Sequence, residues 1–382
     1  MNILYYFWNE ITGKDMIQTL RNMNFQVTVT QKTLTDYVDE SQCLDIFDPF
    51  LQQEDMDCIF SFNFFPAIAK FCHTKRIPYL CWVYDCPHLT LYSKTVCFPE
   101  VYLHIFDKNL CRIPLRLGAR HVYHTPLAVF KERLQQMVDS VSSYNYDVSF
   151  VGSLYQNNQF DQIGYLPEYI SGYLSGLMTA QRKIWGYDLV GDALSDTIVS
   201  EMNRYVSLEQ SQEFDFTPRD IFRNMILQKI TSMDRIQILS EISKRFSLTL
   251  FSNPDESGLD RVKNSGYVSY DEEMPLIFHS SKINLNLSLR SITSGIPLRA
   301  MDIMGAGGFL LTSYQPELAE FFTPDEDFVF FENEADLFAK IEYYLSHDRE
   351  REKIAQSGCD KVLNRHDYSS AAAHIFSCID KH

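Results

Sequence analysis

The residues most able to do chemistry lie between 294 and 313, where Arg299 stands three positions before Asp302 and a small-residue run, 305–308, precedes the apolar run 309–311. That order predicts a loop, a short helix, a tight turn and a buried strand. Free N–H groups at the helix start, from Ser294 and Gly295 onward, would face a phosphate, and Arg299 could neutralise a leaving diphosphate. Asp302 could accept hydrogen bonds from ribose hydroxyls. It could equally be an ion-pair partner for Arg299 one turn back. Gly152 and Ser153 end another apolar run, 147–151, so their N–H groups and the Ser153 hydroxyl could approach a diphosphate closely or simply form a turn.

A second group lies in the first third of the chain. Asp85 follows the apolar run 79–84 and precedes Cys86-Pro87, with His88 on the same loop. A carboxylate at the end of a buried strand is costly unless paired or used, and a base that deprotonates a hydroxyl has to reach it. Asp85 therefore reads as a general base with His88 beside it, or as a loop brace. Asn9, Glu10 and His124 also follow strand-like runs and fall on the acceptor side of the same reading, Glu10 as a weaker rival base and His124 as a structural histidine. Asp325-Glu326-Asp327 has the spacing of a metal–diphosphate motif, but its acidic, Pro-preceded setting predicts a solvated turn, and no metal site is expected. The chain has no GxGxxG after a strand, no GxxxxGK and no GxSxG, which argues against hydride transfer, a P-loop and a serine nucleophile.

The elements that must hold these residues alternate. Strands are expected at 2–7, 25–29, 58–62, 79–84, 102–106 and 121–123, with a helix at 15–23. A polar, mostly helical connection spans 127–145. Strands are expected again at 147–151, 248–251, 283–287, 309–311 and 328–331, with helices at 235–244, 273–279, 335–345 and 349–363. This is an α/β pattern of two doubly wound parallel-sheet domains. The expected division is 1–126, the connection 127–145, a second domain 146–365 with a helical insertion at about 160–232, and a last helix within 366–382 returning toward the first domain. One helix of the insertion is expected to run from Pro167 to about Trp185. Ligands bind at the carboxyl ends of parallel strands, which is where each residue above falls.

Bulk properties narrow the partners. The chain has 382 residues, long enough for two cores, with 22 Tyr and 28 Phe to fill them. Its formal net charge of −16 disfavours nucleic acid and anionic lipid. Nine scattered Cys without a CxxC pair read as reduced thiols in a cytoplasmic protein. The first ten residues read as a strand and not as a leader, and no apolar run is long enough to span a bilayer.

Specific stretches carry a family resemblance. DVSFVGS at 147–153, SKINLNLSLRSITSGIPLRAMDIMGAGGFLLTS at 281–313, ELAEFF at 317–322 and REKIAQSGCDKVLNRHDY at 351–368 resemble the group 1 glycosyltransferase C-terminal domain, in the branch that includes CgeB-like spore maturation proteins. WVYDCPHLTLYSKT at 82–95 and FDKNL at 106–110 are similar to the DUF3880-type N-terminal domain often found before it. The resemblance implies a GT-B fold of two Rossmann-like domains, a UDP- or dTDP-sugar donor on the C-terminal side, an acceptor on the N-terminal side and no obligatory metal or other cofactor. It implies that Gly152, Ser153, Ser294, Gly295 and Arg299 lie near the diphosphate and that Asp302 stands where relatives usually carry a ribose-binding Glu. Many retaining relatives have two Glu with seven residues between them; here those positions are Ser294 and Asp302. The expected activity is hexosyl transfer to a hydroxyl of a glycan, lipid-linked or protein acceptor, with a homodimer possible. A non-catalytic glycan-assembly or glycan-binding subunit and a nucleotide-sugar epimerase are the alternatives.

Overall fold

A computed structural model describes residues 1–138, 143–206, 208, 211–256, 259 and 261–379. The chain forms two compact units: Met1–Phe130, Ser211–Asp215 and the segment from Arg365 make the first, and Lys131–Gln210 with Phe216–Asn364 the second.

The first unit is built on β1 (Asn2–Tyr5), β2 (Gln26–Val29), β3 (Cys58–Phe62), β4 (Tyr79–Val83), β5 (Val101–Ile105) and β6 (His121–His124), in the spatial order β2-β1-β3-β4-β5-β6 with every pair parallel. Strands β3 and β4 are buried at every position, as a sheet covered on both faces requires. The order reverses between β1 and β3, so the crevice at their carboxyl ends is the unit's switch point. Three helices that the sequence pattern did not announce, Ser41–Leu51, Pro66–Lys75 and Lys108–Leu117, cover the sheet; Pro49, Pro66 and Pro114 obscured them. The last helix, Tyr368–Phe376, is capped by Asp367 and belongs to this unit, with Phe376 packed on Phe25 and Phe60 at 5.6 and 5.4 Å.

The second unit holds β7 (Tyr146–Val151), β8 (Leu248–Phe251), β9 (Lys263–Asn264), β10 (Ser281–Asn286), β11 (Leu310–Ser313) and β12 (Val329–Phe331), all parallel, in the order β12-β11-β10-β7-β8-β9. Its switch point is the β7/β10 pair. Ahead of β7, the expected helical connection contains the helix Lys131–Val138, and residues 139–142 lie outside the described residues.

Two expectations need correction here. The insertion does not end at 232. The helix Pro218–Ser243 runs through that boundary unbroken, because Pro218 at its first turn and a reciprocal Thr217–Asp220 cap start it well upstream. Its first half packs with Ile170, Leu174 and Val190 of the insertion, while Ile238, Leu239 and Ile242 pack under the sheet. The insertion also lends Ser211–Asp215 to the first unit, and its first helix stops at Arg182. The Asp325–Asp327 segment is not simply a solvated turn. Asp327 is buried and accepts hydrogen bonds from Thr323 N and Ser357 Oγ, each at 2.7 Å, and from Lys361 Nζ. Burial alone would raise its pKa, but the bonds from Lys361, Thr323 and Ser357 outweigh it and hold the carboxyl below its ordinary value. Among the described residues no cluster of three or more His, Cys, Asp or Glu side chains could hold a metal ion, and no helix is long and apolar enough to cross a membrane.

Candidate functional site

At the second unit's switch point, Arg235 reaches up from the long helix. Its guanidinium donates to Leu287 O at 2.6 Å, just past β10, and to Ser153 O at 2.5 Å, just past β7. One cation thus ties the two loops that flank the crevice. Burial pulls its pKa down to about 10, so it stays protonated. Gly152 takes φ +154° and donates from its N–H to Phe251 O at 3.0 Å. Ser153 Oγ donates to Glu256 Oε1 at 2.6 Å, and Leu154 N donates to the same carboxylate at 2.8 Å. Ser252 Oγ also donates to Glu256. A diphosphate at Gly152-Ser153 would therefore have to displace a carboxylate already filling that anion position.

The 294–302 stretch brings a cation and a carboxylate onto one helix. Ser294 and Gly295 are buried, and Ser294 O accepts from Glu317 N at 3.0 Å. Pro297, in extended conformation, leads into the helix Leu298–Gly305, where Arg299 and Asp302 share one face. Arg299 Nη1 lies 2.8 Å from Met274 Sδ and 3.7 Å from Asp302 Oδ2, with the guanidinium 5.4 Å from the Phe278 ring centre. Asp302 is buried, and the Tyr270 hydroxyl donates to its Oδ1 at 3.0 Å. The guanidinium of Arg133 covers the Tyr270 ring at 5.1 Å. Helix N–H groups and a partly exposed Arg299 can take an anion. A carboxylate oriented by Tyr270 can take hydroxyl donors.

In the first unit, the loops after β1, β3 and β4 interlock. Trp8 Nε1 donates to Phe62 O at 3.0 Å. Asn9 is exposed with φ +68°, a conformation that Asn tolerates better than most residues. Glu10 is buried; it accepts from the Tyr5 hydroxyl at 2.7 Å and from Trp8 N at 3.0 Å, and burial pushes it up to about 7 against those bonds. A Cβ on Gly13 would come within 2.5 Å of Glu10 Oε1 and 2.6 Å of the Phe7 ring, so a larger residue at the start of the helix Gly13–Asn22 would have to displace the buried Glu10 carboxylate. Asn63 Nδ2 donates to Asp85 Oδ2 at 2.7 Å, while Asn63 Oδ1 accepts from Tyr84 N and Asp85 N at 3.2 and 3.3 Å. Burial by the surrounding protein raises the Asp85 pKa and the Asn63 bond pulls the other way. His88 Nε2 is engaged with Phe64 N at 3.1 Å and with Thr90 Oγ1 at 2.8 Å. Burial pushes it down to about 4, its bond to the Phe64 backbone pulling the other way, so at neutral pH it is an uncharged brace of the loop that presents Asp85. His124, at the end of β6, sits with Nε2 3.3 Å from Phe106 O.

Asp85 and His88 thus share one loop and Glu10 stands on its neighbour, while Arg299 and Asp302 share one helix face. Sequence reasoning missed Glu256, Arg235 and Tyr270. Glu256 carried a faint signal, since it follows the strand-ending turn Ser252-Asn253-Pro254. Arg235 was hidden in an ordinary helix pattern, and Tyr270 in a loop with none.

Residues 224–377 match a family model described as glycosyl transferase-like. Comparison with curated proteins gives no matching sequence. Among solved structures, the chain is similar to sucrose-phosphate synthase from Thermosynechococcus elongatus, at 8% identity and TM-score 0.56 over 99% of this chain and 98% of that one. It is similar to HepE of Anabaena in complex with UDP and glucose, at 10% identity and TM-score 0.54 over the full length of both. T4 phage BGT in complex with its UDP-glucose substrate is a further likeness, at 11% identity and TM-score 0.51, again over the full length of both. At such identities the likeness shows the fold, which is GT-B: two Rossmann-like units on parallel six-stranded sheets.

Proposed function

We propose that this chain is a glycosyltransferase that moves a hexose from a UDP- or dTDP-sugar to a hydroxyl of a glycan, lipid-linked or protein acceptor. The observation that carries the reading is the Arg299–Asp302–Tyr270 group, which lies at a helix start following a parallel strand and inside the segment matching the glycosyl transferase-like model. Two of the similar structures, HepE and T4 phage BGT, hold UDP with glucose and UDP-glucose, which supports a nucleotide-sugar donor here. The CgeB-like and DUF3880-type resemblance and nine free cysteines support the finer reading of a cytoplasmic enzyme of glycan biosynthesis.

In this reading Asp302 receives the ribose hydroxyls and is held in place by Tyr270. Arg299 and the first N–H groups of Leu298–Gly305 meet the diphosphate. They supply positive charge as the bond from the anomeric carbon to the diphosphate oxygen breaks, and that is why we read the reaction as metal-independent. The acceptor oxygen forms the new bond to that carbon, and its proton passes to Asp85, whose position the Asn63 bond fixes. A single displacement with a base suits a chain with Ser294 where retaining relatives carry a carboxylate.

Turnover of a nucleotide-sugar panel with glycan acceptors tests this. Arg299→Ala should lower kcat/KM by about 10²–10³-fold, as loss of one transition-state charge partner does. Asp85→Asn should lower kcat by about 10²-fold or more with donor binding kept. Full activity in Arg299→Ala would remove the diphosphate role, and full activity in Asp85→Asn the base. The Glu256 clasp on Ser153 favours one other reading, a glycan-assembly subunit without turnover, which expects no nucleotide sugar to bind.

A further inference from the structure

The second unit contains a cavity of about 600 Å³ that none of the candidate residues above lines. It lies where the inserted helix Glu168–Arg182 meets Pro218–Ser243 and the carboxyl end of β12. Its size falls within the roughly 300–1,000 Å³ of small-ligand sites. We propose that this cavity is a second carbohydrate site, one that binds an uncharged saccharide.

The aromatic wall is prebuilt. Trp185 lines the cavity, and the guanidinium carbon of Arg290 backs the indole 3.2 Å from its centre. Arg290 is itself buried and fixed, donating to Asp234 Oδ2 at 2.7 Å and to Ile184 O at 2.6 Å. Phe331 meets the indole edge-on at 5.9 Å. The indole thus packs on one face against a guanidinium that a buried ion pair holds in place. A fixed polar band lies across the same cavity: Arg182 Nη2 donates to Gln237 Oε1 at 2.6 Å, and Gln237 Nε2 donates to Glu334 Oε1 at 2.8 Å. Lys183, Glu332 and Asn333 add donors and acceptors.

Charge selects the ligand. The lining holds two cations, Arg182 and Lys183, against three carboxylates, Asp234, Glu332 and Glu334. Arg182 is already paired with Asp234 at 2.7 Å. A phosphate or nucleotide would meet more negative than positive charge there. A sugar ring has the two-sided chemistry the cavity offers, with an apolar C–H face for the indole and hydroxyls for a band of alternating donors and acceptors. This site is independent of the donor reading, since it shares none of that site's residues.

The full-length protein should be titrated with glucose, N-acetylglucosamine, maltose and cellobiose, with glucose 6-phosphate and uridine as contrasting probes, by ligand-observed NMR. At least one neutral sugar should bind saturably. Its affinity should fall about tenfold or more in Trp185→Ala and in Thr179→Trp, which fills the rim from an exposed helix position, and should be unchanged in Asp302→Ala. UDP-sugar binding should persist in both cavity variants, which separates this site from the donor site. No saturable sugar binding, sugar binding indifferent to both cavity variants, or a preference for uridine or glucose 6-phosphate overturns the proposal.

Discussion

Glu10 is only 4% exposed, and its burial sets a pH dependence that can be measured. Its folded pKa, about 7, lies above the ordinary 4.5. Between those values the folded chain keeps a proton that the unfolded chain has released. Stability therefore falls as pH rises from 4.5 toward 7, and below that window the penalty is absent. Glu10→Gln should abolish this slope. It carries a pH-independent loss, because an amide cannot satisfy both the Tyr5 hydroxyl and Trp8 N, yet relative to the parent it should gain up to about 3 kcal/mol between pH 4 and pH 8. Denaturant titrations across that range measure it, and parallel curves for parent and variant would show that Glu10 does not titrate there. At this scale the sequence was legible where a residue follows its own strand. Asp85, Gly152 and Ser153 each follow directly on a strand that the apolar pattern had placed. It was not legible where the partner comes from a distant loop: Glu256 lies 103 residues from Ser153, and Tyr270 lies 32 from Asp302.

Among the elements, the helix Pro218–Ser243 carries the largest share of the second unit's organisation. It packs outward on the insertion, inward on the sheet, and sends Arg235 to the switch point and Asp234 to a buried charge cluster. Asp234 bonds Arg182 and Arg290 at 2.7 Å each, and both carboxylate oxygens are used. Removing the charge leaves Arg290 buried without its counter-ion, so Asp234→Asn should cost about 3–5 kcal/mol of unfolding free energy at unchanged m-value. A cost below about 1 kcal/mol would mean that the pair behaves as a solvated one. The expected helix at 235–244 was the half of this element whose apolar face meets the sheet. The other half faces the insertion, so its pattern changes direction mid-helix, and a single periodic stripe could not reveal a continuous rod. The strands were easier: β3 and β4 are nearly continuous apolar runs, and β10 sets Ile283 and Leu285 in alternation with polar residues.

At the scale of the whole molecule, each unit repeats one plan: a parallel sheet whose order reverses once, with the candidate residues past the carboxyl ends of the strands at or near that reversal. Alternation of apolar runs made this plan legible. It could not reveal that Ser211–Asp215 joins the first unit, where Asp215 N donates to Tyr92 O at 2.9 Å and Glu213 pairs with Lys70, because five residues in a polar loop carry no period. With a net charge of −16, the chain as a whole repels a nucleotide diphosphate, so the proposed donor site relies on local positive charge at Arg299 and its helix start. The most direct test is a calorimetric titration of the purified protein with UDP, UDP-glucose and dTDP-glucose without added metal, repeated on Asp302→Ala and Arg299→Ala. The account expects saturable binding of at least one nucleotide sugar, weakened about tenfold or more in each variant. No binding by any of the three, or equal affinity in parent and Asp302→Ala, would contradict it.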